Sequence, residues 1–314
     1  IKKTRYFMNL WILISALVFT LGLPSNPAYQ LPLISIFANE EGITASFEAV
    51  ELDDAEIIPH KVDNKSLGVK IAAQSAAAMD KDTGLILWQK NADQVRSIAS
   101  ITKLMTALVF LDNNPGWNTE ITLEEQDEIN GGTNRILRGE IVTVRDIFYT
   151  SLISSDNNAT RALVRSTGLE ENSFVDQMNA KAKDLDLSNT DFADPTGLKD
   201  NNKSTALDIL VLARIAFNNQ DINDAVSRAV YNFQAISGKN HKITTTNKLF
   251  NSFLDIKAGK TGFVNASGYC LVAEVGGVGE QNIISVVLGS DSDDGRFQDL
   301  KILSAWVLDN FTWS

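Results

Sequence analysis

The chain has 314 residues and 44% of them are hydrophobic, which is enough for one large domain with a core or for two small domains. Its formal net charge of −11 argues against a nucleic-acid partner, because binding to phosphate backbones depends on basic patches. The single cysteine, Cys270, excludes an internal disulfide. The chain has only two histidines, His60 and His241, which lie far apart in sequence and poorly supply a histidine metal site or a Ser-His-Asp triad, so we predict no metal site.

The chain begins with a basic and then apolar pattern. Lys2, Lys3 and Arg5 precede an apolar run over residues 7–23, which Pro24 ends. This pattern is typical of a secretory signal or an N-terminal membrane anchor, and we favour an uncleaved anchor because no clean cleavage site follows. Basic residues on the cytoplasmic side would place the rest of the chain on the extracytoplasmic side, either anchored or secreted.

Residues 24–66 have the composition of a linker. They hold four of the six prolines and a cluster of acidic residues. Such a segment buries too little apolar surface to order itself. We therefore predict three parts: a signal sequence or anchor over 1–23, an acidic linker over 24–66, and a catalytic domain over 67–314.

Strand patterns occur at both ends of the predicted domain, and helical patterns lie between them. Apolar runs at 69–78 and 85–89, separated by turn residues, predict a hairpin. Helical periodicity starts near Ile101 and returns over 144–153, 157–167, 172–185 and 205–217. Near the C-terminus, β-rich runs at 267–275 and 282–288 precede a last helix over 296–310, with Leu300, Leu303, Trp306 and Val307 facing inward.

This order of elements predicts an α+β fold. The simplest packing joins the N-terminal and C-terminal strands in one antiparallel sheet, and the helices of the middle and the C-terminus cover its faces. Cys270 lies in an apolar alternating run, so we expect it to be a buried strand residue.

The first candidate motif is Ser100-Ile101-Thr102-Lys103, at the start of an apolar helix. A spacing of three places the serine and the lysine on one face of a helix, near its unpaired N–H groups. Alone the motif is weak, and this motif by itself favours the interpretation of Ser100 as a simple helix cap.

The second candidate is Ser155-Asp156-Asn157, directly after an apolar run. Serine, aspartate and asparagine also mark helix caps and turns, so this motif has an equally plain structural interpretation by itself.

The third candidate, Lys260-Thr261-Gly262, lies in a segment that we expect to be a strand. Gly259-Lys260-Thr261 is similar to the end of a phosphate-binding loop, but such a loop needs a glycine where Leu254 stands, and a helix afterwards. Glycines on both sides of a lysine in a strand indicate instead the close approach of a ligand backbone.

The order of the three motifs is more specific than any one of them. Ser-x-x-Lys, then Ser-x-Asn, then Lys-Thr-Gly is the signature of class A β-lactamases and penicillin-binding proteins. Each motif falls where that signature needs it: at a helix start, in the helical middle and on a C-terminal strand. Together they make the plain structural interpretations improbable.

Over about residues 70–312 the chain resembles the low-molecular-weight penicillin-binding proteins, the serine-type D-Ala-D-Ala carboxypeptidases of peptidase family S11. The resemblance rests on the segment from Ser97 to Ala107, on Asp194-Pro195-Thr196-Gly197-Leu198 with Ser204-Thr205-Ala206, on Thr246-Asn247-Lys248-Leu249 and on Gly268-Tyr269. The chain departs from the family's second motif, because Asp156 and Asn158 flank Asn157 where the family usually has a small residue and an acid.

The resemblance implies an extracytoplasmic bacterial hydrolase that trims the terminal D-alanine of peptidoglycan stem peptides and binds β-lactams. Ser100 would attack the carbonyl between two D-alanines, Lys103 would take its proton, and Ser155 would pass a proton to the leaving amine. A lysine acts as a base near neutral pH only if burial and nearby cations lower its pKa, and Lys260 would be such a cation. Water would then hydrolyse the acyl-enzyme with no cofactor.

The remaining predicted site residues would bind the substrate. Asn157 would hold the substrate amide or Lys103, and Lys260, Thr261 and Gly262 would form the strand that binds the terminal carboxylate. The backbone N–H groups of Ser100 and Phe263 would form the oxyanion hole. By resemblance, Arg296 would assist in binding the carboxylate.

Three alternatives use the same pocket. A class A β-lactamase would need a glutamate in Glu-x-x-Leu-Asn, and neither Glu170 nor Glu171 lies in that sequence. A non-hydrolytic penicillin sensor or cell-wall-binding domain would be acylated without turnover. A DD-endopeptidase would cut cross-links, a choice that depends on the openness of the pocket.

Overall fold

The structure, a computed structural model, describes residues 34–39, 42–47, 57–129, 134–279 and 281–314. The predicted signal or anchor over 1–23 lies outside the described residues. Within the described ranges, no helix is long and apolar enough to cross a membrane. The chain divides into two compact units, residues 1–56 and residues 57–314. In the first unit, β1 (Ile34–Asn39) pairs antiparallel with β2 (Gly42–Phe47), inside the range for which we predicted a linker.

The second unit is an α+β structure with strands at its two ends and helices between them. Its described α-helices are α1 (Lys103–Asp112), α2 (Val144–Ile153), α3 (Asn157–Ser166), α4 (Glu171–Asp184), α5 (Ala206–Asn218), α6 (Gln220–Val226) and α7 (Asp293–Asn310). Its described strands are β3 (Pro59–Lys61), β4 (Ser75–Asp80), β5 (Ile86–Lys90), β6 (Arg96–Ser97), β7 (Glu120–Thr122), β8 (Ile141–Thr143), β9 (Lys203–Ser204), β10 (Val230–Gln234), β11 (Asn240–Thr244), β12 (Asp255–Val264), β13 (Gly268–Gly276), β14 (Asn282–Ser290) and β15 (Phe311–Trp313).

Five of these strands form the central sheet in the order β12-β13-β14-β4-β5, and every neighbouring pair is antiparallel. The N-terminal hairpin therefore joins the C-terminal strands, as we predicted from the order of the patterns. Strand β12, which carries Lys260, lies at one edge of the sheet. An edge strand leaves one row of backbone groups for a ligand.

Both faces of the sheet are buried, and alternate residues of a strand belong to different cores. Val272 packs with the helices of the middle of the chain, whereas Leu271 and Ala273 pack with helix α7. Cys270 is fully buried in β13, as predicted. This burial on two faces explains why β13 and β14 have nearly continuous apolar sequences.

The predicted strand over 69–78 begins only at Ser75. The backbone N–H groups of Ala72 and Ala73 donate to the carboxylate of Asp299 in α7, each at 2.8 Å. These two N–H groups thus bind a distant side chain instead of a neighbouring strand, and the prediction of a strand before Ser75 was wrong.

The compact unit also begins earlier than the predicted boundary at residue 67. Strand β3 pairs antiparallel with β15, so that Pro59 lies opposite Trp313 and Lys61 opposite Phe311. Trp306 of α7 reaches the same region, where its Nε1 donates to the Ser66 Oγ at 2.9 Å. The last ten residues of the range given to the linker therefore include part of this unit.

Helix α2 has the predicted bounds, α3 ends one residue earlier than predicted, and α4 and α5 are each displaced by one residue at both ends. Their starts have clear local causes. Thr143 forms a capping box with Asp146, Asp156 caps α3 by accepting from Ala159 N–H, and Thr205 accepts from Asp208 N–H. The hairpin of β10 and β11 was not predicted, because its alternating polar residues leave little apolar signal.

Candidate active site

Ser100 lies in a tight 3-10 turn, Ala99–Thr102, that leads into α1. In such a turn, side chains three residues apart eclipse each other, so Lys103 comes directly over Ser100. Lys103 Nζ donates to Ser100 Oγ at 3.0 Å. The residue before the serine, Ala99, has a φ of +48°, a backbone strain often found at active sites. Thr102 precedes α1 and makes no side-chain cap, so Ser100 is not the helix cap that the alternative interpretation required.

Lys103 is only 1% exposed and is surrounded by hydrogen-bond acceptors. Besides Ser100, its Nζ donates to Asn157 Oδ1 at 2.8 Å and to the carbonyl oxygen of Thr196 at 2.6 Å. Burial lowers the pKa of Lys103 to about 7, although the nearby carboxylates of Asp194 and Asp156 act in the opposite direction. With a pKa of about 7, the amine of Lys103 is neutral in about half of the molecules at pH 7, and the neutral amine can accept a proton.

The Thr196 carbonyl lies in a loop whose backbone N–H groups donate to the carboxylate of Asp194. Asp194 Oδ1 accepts from Thr196 N–H at 2.7 Å and from Gly197 N–H at 2.9 Å, and its Oδ2 accepts from Lys199 N–H and Asn202 Nδ2 at 2.7 Å. Burial raises the pKa of Asp194, but these hydrogen bonds outweigh it and leave that pKa below its ordinary value. The carboxylate therefore stays ionised and holds the loop in place.

Gly197 lets this loop approach the nucleophile. Its φ is +82°, and a Cβ atom there would lie 2.1 Å from the carbonyl oxygen of Ala99 and 2.9 Å from Ser100 N. Only glycine fits such a position. Our sequence-based site omitted Asp194, Thr196 and Gly197, although the Asp-Pro-Thr-Gly turn chemistry was the signal that could have indicated a fixed loop.

The second motif forms the turn between α2 and α3. Ser155 has a φ of +59°, and Asp156 caps α3. The carboxylate of Asp156 accepts from Ala159 N–H at 2.8 Å and Arg135 N–H at 2.6 Å, and burial raises its pKa. With this cap in place, Asn157 contacts Lys103, and Ser155 faces Lys260 of the third motif.

The third motif lies on the edge strand β12. Lys260 is 1% exposed, and its Nζ donates to Ser155 Oγ at 2.8 Å and to the Thr261 carbonyl at 2.9 Å. The hydroxyl of Thr261 lies 2.5 Å from that of Thr246. Burial, with the charges of Lys103 and Arg296, holds the pKa of Lys260 well below its ordinary value. Burial is the largest cause that lowers the pKa of Lys103. The repulsion between the ammonium groups of Lys103 and Lys260 is mutual, so the effect that we predicted for Lys260 stays a prediction.

Gly262 brings β12 against the turn that carries Ser100. A Cβ atom at this position would lie 2.8 Å from the Ile98 carbonyl and 3.2 Å from Ser100 N. The next residue, Phe263, is 46% exposed, and its ring stacks on Tyr269 with 4.2 Å between centroids. The close contact places the backbone of β12 beside the nucleophile, as the predicted oxyanion hole requires.

Arg296 lies behind this strand and is 7% exposed. Its guanidinium donates to the carbonyl of Gly262 at 3.0 Å and to that of Cys270 at 3.4 Å, and it pairs with Asp293. It also lies over the Tyr269 ring, 5.3 Å from the centroid. These contacts support β12 and β13 from within the fold, and a direct contact between Arg296 and a substrate stays a prediction.

The structure thus brings together Ser100, Lys103, Ser155, Asn157 and Lys260, which come from three distant parts of the sequence. Such an arrangement pairs a nucleophile with a base and adds a second hydroxyl and a cation, the elements of acyl transfer. Among the described residues, no group of histidine, cysteine, aspartate and glutamate could hold a metal ion.

The family model for D-alanyl-D-alanine carboxypeptidases, Peptidase S11, matches residues 60–292. The chain belongs to peptidase family S11. The range of the match includes all three motifs of this S11 peptidase and ends before Arg296. The resemblance inferred from the motifs is therefore confirmed.

Curated relatives with two different names are similar to this S11 peptidase. A D-alanyl-D-alanine endopeptidase of Haemophilus influenzae is 36% identical over 64% of this chain and 69% of its own. One of Pseudomonas aeruginosa is 34% identical over 76% of this chain and 78% of its own. The D-alanyl-D-alanine carboxypeptidase DacF of Bacillus subtilis is 30% identical over 71% and 59%.

Solved structures share the fold. The Streptomyces K15 DD-transpeptidase has 28% sequence identity and a TM-score of 0.71, and the match covers 76% of this chain and 98% of that one. Penicillin-binding protein D2 of Listeria monocytogenes, solved in the cefotaxime-bound form, has 28% identity and a TM-score of 0.67 over 77% and 99%. The predicted fold, of the DD-peptidase kind with an antiparallel sheet and helices on its faces, is confirmed.

Proposed function

We propose that this chain is a serine-type D-alanyl-D-alanine carboxypeptidase that removes the terminal D-alanine of peptidoglycan stem peptides. The observation that carries the proposal is the contact of Lys103 Nζ with Ser100 Oγ at 3.0 Å in a member of family S11. The lowered pKa of Lys103, about 7, supports a role as the base that activates this serine.

In the acylation step, Ser100 Oγ attacks the carbonyl carbon between the two D-alanines, and its proton moves to Lys103 Nζ. The C–N bond then breaks, and the leaving amine gains that proton by way of Ser155. Lys260 donates a hydrogen bond to Ser155 Oγ, so the hydroxyl hydrogen of Ser155 is left to donate to the amine. Free D-alanine departs and an ester on Ser100 remains.

In the deacylation step, water attacks the ester carbonyl and Lys103 accepts a proton from it. The C–O bond breaks, and Ser100 regains a proton from Lys103. Asn157 keeps Lys103 in position for both steps, because its Oδ1 accepts from Nζ at 2.8 Å. The backbone N–H groups of Ser100 and Phe263 stabilise the oxyanion, and each such donor contributes about 3–4 kcal/mol in other acyl-transfer enzymes.

The substrate's terminal carboxylate is held by Lys260 and Thr261. Burial and the neighbouring charges of Lys103 and Arg296 lower the pKa of Lys260, and an arriving carboxylate would supply the missing negative charge. β-lactam antibiotics carry a carboxylate and a reactive carbonyl in a similar spatial relationship, so they acylate Ser100 in the same site. The Listeria relative was solved with cefotaxime bound, which supports this inference.

A DD-endopeptidase is the second candidate, because the Haemophilus and Pseudomonas relatives carry that name. The chemistry is the same, and only the leaving amine differs. The experiment is to compare D-alanine release from a D-Ala-D-Ala pentapeptide with cleavage of a cross-linked dimer of stem peptides. Dominant release of D-alanine supports the carboxypeptidase, dominant cleavage of the dimer supports the endopeptidase, and hydrolysis of neither contradicts both proposals.

We also propose that the protein acts on the extracytoplasmic side of the bacterial membrane, held there by its N-terminal segment. The basic residues Lys2, Lys3 and Arg5 before the apolar run of 7–23 support this location, as does the extracellular position of peptidoglycan. Protease treatment of intact spheroplasts that express the full chain tests it. Degradation places the domain outside, and protection until lysis contradicts the proposal.

A further inference from the structure

Ser155 has a strained backbone conformation that its neighbours must stabilise. Its φ of +59° lies in the left-handed region, which is unfavourable for a residue other than glycine. Such strain persists only where the surrounding structure determines the conformation. In this conformation Ser155 Oγ lies 2.8 Å from Lys260 Nζ, where we propose that it protonates the leaving amine. The contacts that stabilise this turn therefore also position the proposed proton donor.

The residues on either side of Asn157 bind backbone groups from an earlier part of the chain. Asp156 is 1% exposed and Asn158 is 4% exposed. Asp156 Oδ2 accepts a hydrogen bond of 2.6 Å from Arg135 N–H, and Asn158 Oδ1 accepts one of 3.1 Å from Ile129 N–H. The second motif is thus fixed on both sides of Asn157 by buried side chains.

The carboxylate of Asp156 joins two parts of the chain. Its Oδ1 accepts from Ala159 N–H at 2.8 Å and caps α3, while its Oδ2 accepts from Arg135 N–H. A shorter side chain with one oxygen would cap the helix and leave Arg135 N–H without this partner. Asn158 binds Ile129 without adding a second charge beside the buried carboxylate.

Another contact with the earlier part of the chain lies near the end of α3. Arg165 donates to the two carboxylate oxygens of Asp127, at 3.0 and 2.8 Å, and to the Thr122 carbonyl at 2.7 Å. At a rise of 1.5 Å per residue, Arg165 lies about 12 Å along the helix from Asn157. This contact therefore supports the packing of α3 without touching the turn that carries Ser155.

We propose that Asp156 and Asn158 are positioning residues for acylation, and that by binding the backbone of Arg135 and Ile129 they hold Ser155 where it can protonate the leaving amine. The inference rests on the proposed function, which makes Ser155 the proton donor. It adds two residues that act through Ser155. A leaving group that needs no proton should therefore react independently of them.

Two substrates that differ only in the leaving atom test this role. One is an acetylated peptide that ends in D-Ala-D-Ala, and the other is the thioester in which D-thiolactate replaces the last D-alanine. The amine needs a proton as the C–N bond breaks, whereas a thiolate can leave without one. The ratio of the two kcat/KM values isolates this proton transfer, because a smaller folded fraction lowers both values equally.

Asn158→Leu removes the accepting oxygen and keeps a similar size. We expect kcat/KM for the peptide to fall about tenfold and that for the thioester to stay within about twofold, because a displaced general acid loses part of its roughly 10²–10⁴-fold contribution. Asn158→Asp keeps an accepting oxygen and should restore most of the ratio.

Asp156→Ser keeps a residue that can cap α3 but removes the contact with Arg135. We expect the ratio to fall about tenfold here as well. The substitution also removes a negative charge that raises the pKa of Lys103, but this effect acts on both substrates and cancels in the ratio.

Arg165→Gln is the matched control, because it removes a contact near the other end of α3. It should lower the midpoint of urea unfolding and leave the ratio unchanged. An unchanged ratio in Asn158→Leu and Asp156→Ser would overturn the positioning role, and so would an equal fall in Arg165→Gln.

Acylation by benzylpenicillin, whose ring nitrogen also needs a proton, separates this inference from the proposed function. An unmodified enzyme that leaves the peptide intact would reject the carboxypeptidase. Slower penicillin acylation in Asn158→Leu and Asp156→Ser than in Arg165→Gln would then keep the positioning role, and equal acylation in the three variants would overturn it too. Peptide hydrolysis with one ratio in every variant would keep the carboxypeptidase and overturn the positioning role.

Discussion

Lys260 Nζ donates a hydrogen bond of 2.8 Å to Ser155 Oγ, although the two residues are 105 positions apart in the sequence. This contact joins the edge strand β12 to the turn before α3. It therefore holds the side of the site that we propose binds the carboxylate in a fixed position relative to the helix that begins at Asn157. Ser155 and Lys260 form one hydrogen-bonded pair, and substitution of each residue in turn can distinguish their separate roles.

Lys260→Gln removes the charge and keeps most of the side chain. We expect kcat/KM for a D-Ala-D-Ala peptide to fall by about 10- to 100-fold, because a hydrogen bond to a charged group contributes roughly 1.5–3 kcal/mol. Steady-state release of D-alanine measures the change. Lys257→Gln is the matched control, since Lys257 lies on the same strand and pairs with Asp255 at 2.7 Å on the surface. Equal losses in both variants would show a general defect of the strand.

The acylation rate should depend on pH through Lys103. Its pKa of about 7 means that the amine is protonated below pH 7 and cannot accept the proton of Ser100. The rate of acylation by benzylpenicillin should therefore rise about tenfold per pH unit below this midpoint and level off above it. Stopped-flow measurements between pH 5 and pH 9 test this. A rate that still rises tenfold per pH unit up to pH 9, as the ordinary lysine pKa of 10.5 would give, would contradict a buried amine with a lowered pKa.

Asp194→Asn should move that midpoint. The carboxylate of Asp194 raises the pKa of Lys103, so removal of its charge should shift the midpoint of acylation to lower pH. The same change replaces one accepting oxygen by an NH₂ group and leaves donors of the 194–199 loop unpaired. A loss of about 1–3 kcal/mol in the free energy of unfolding should follow for each unpaired donor. A destabilised variant with an unchanged midpoint would limit Asp194 to its structural role.

Gly197→Ala tests the contact between the loop and the nucleophile. A Cβ atom there would lie 2.1 Å from the Ala99 carbonyl, so the turn that carries Ser100 must shift. Gly168→Ala is the matched control, because Gly168 has a similar φ of +76° and open space around it. We expect about 1–2 kcal/mol of destabilisation in Gly168→Ala with normal acylation. Gly197→Ala should lose more stability and most of its acylation by penicillin, and equal behaviour of the two variants would reject the steric argument.

The sequence predicted most of the fold because apolar periodicity is strong in its buried elements. Helix α2 and strands β13 and β14 bury long apolar runs, and their predicted bounds differ little from the observed ones. The exceptions have physical causes. Residues 69–74 have the apolar content of a strand, but two of their N–H groups bind the side chain of Asp299, a partner more than 200 positions away.

The catalytic side chains of the candidate site could be predicted because they stand in short sequence motifs that follow one another in a fixed order. Ser100, Lys103 and Lys260 stand in such motifs, and the structure brings them together. The Thr196 carbonyl could not be found in this way, because every residue has a backbone carbonyl and the residue type does not show which one enters the site. Burial was expected to help lower the pKa of Lys103, but the residues that bury it could not be identified from the sequence, because that packing is supplied only by the fold.

The central claim is that Ser100 is the nucleophile that carries the acyl group. The most direct test is the intact mass of the protein after exposure to benzylpenicillin, followed by peptide mapping of the modified residue, with Ser100→Ala in parallel. We predict one added penicilloyl group on the peptide that contains Ser100 and none on the variant. An adduct that persists in Ser100→Ala, or one that maps to another residue such as Ser155, would contradict the account.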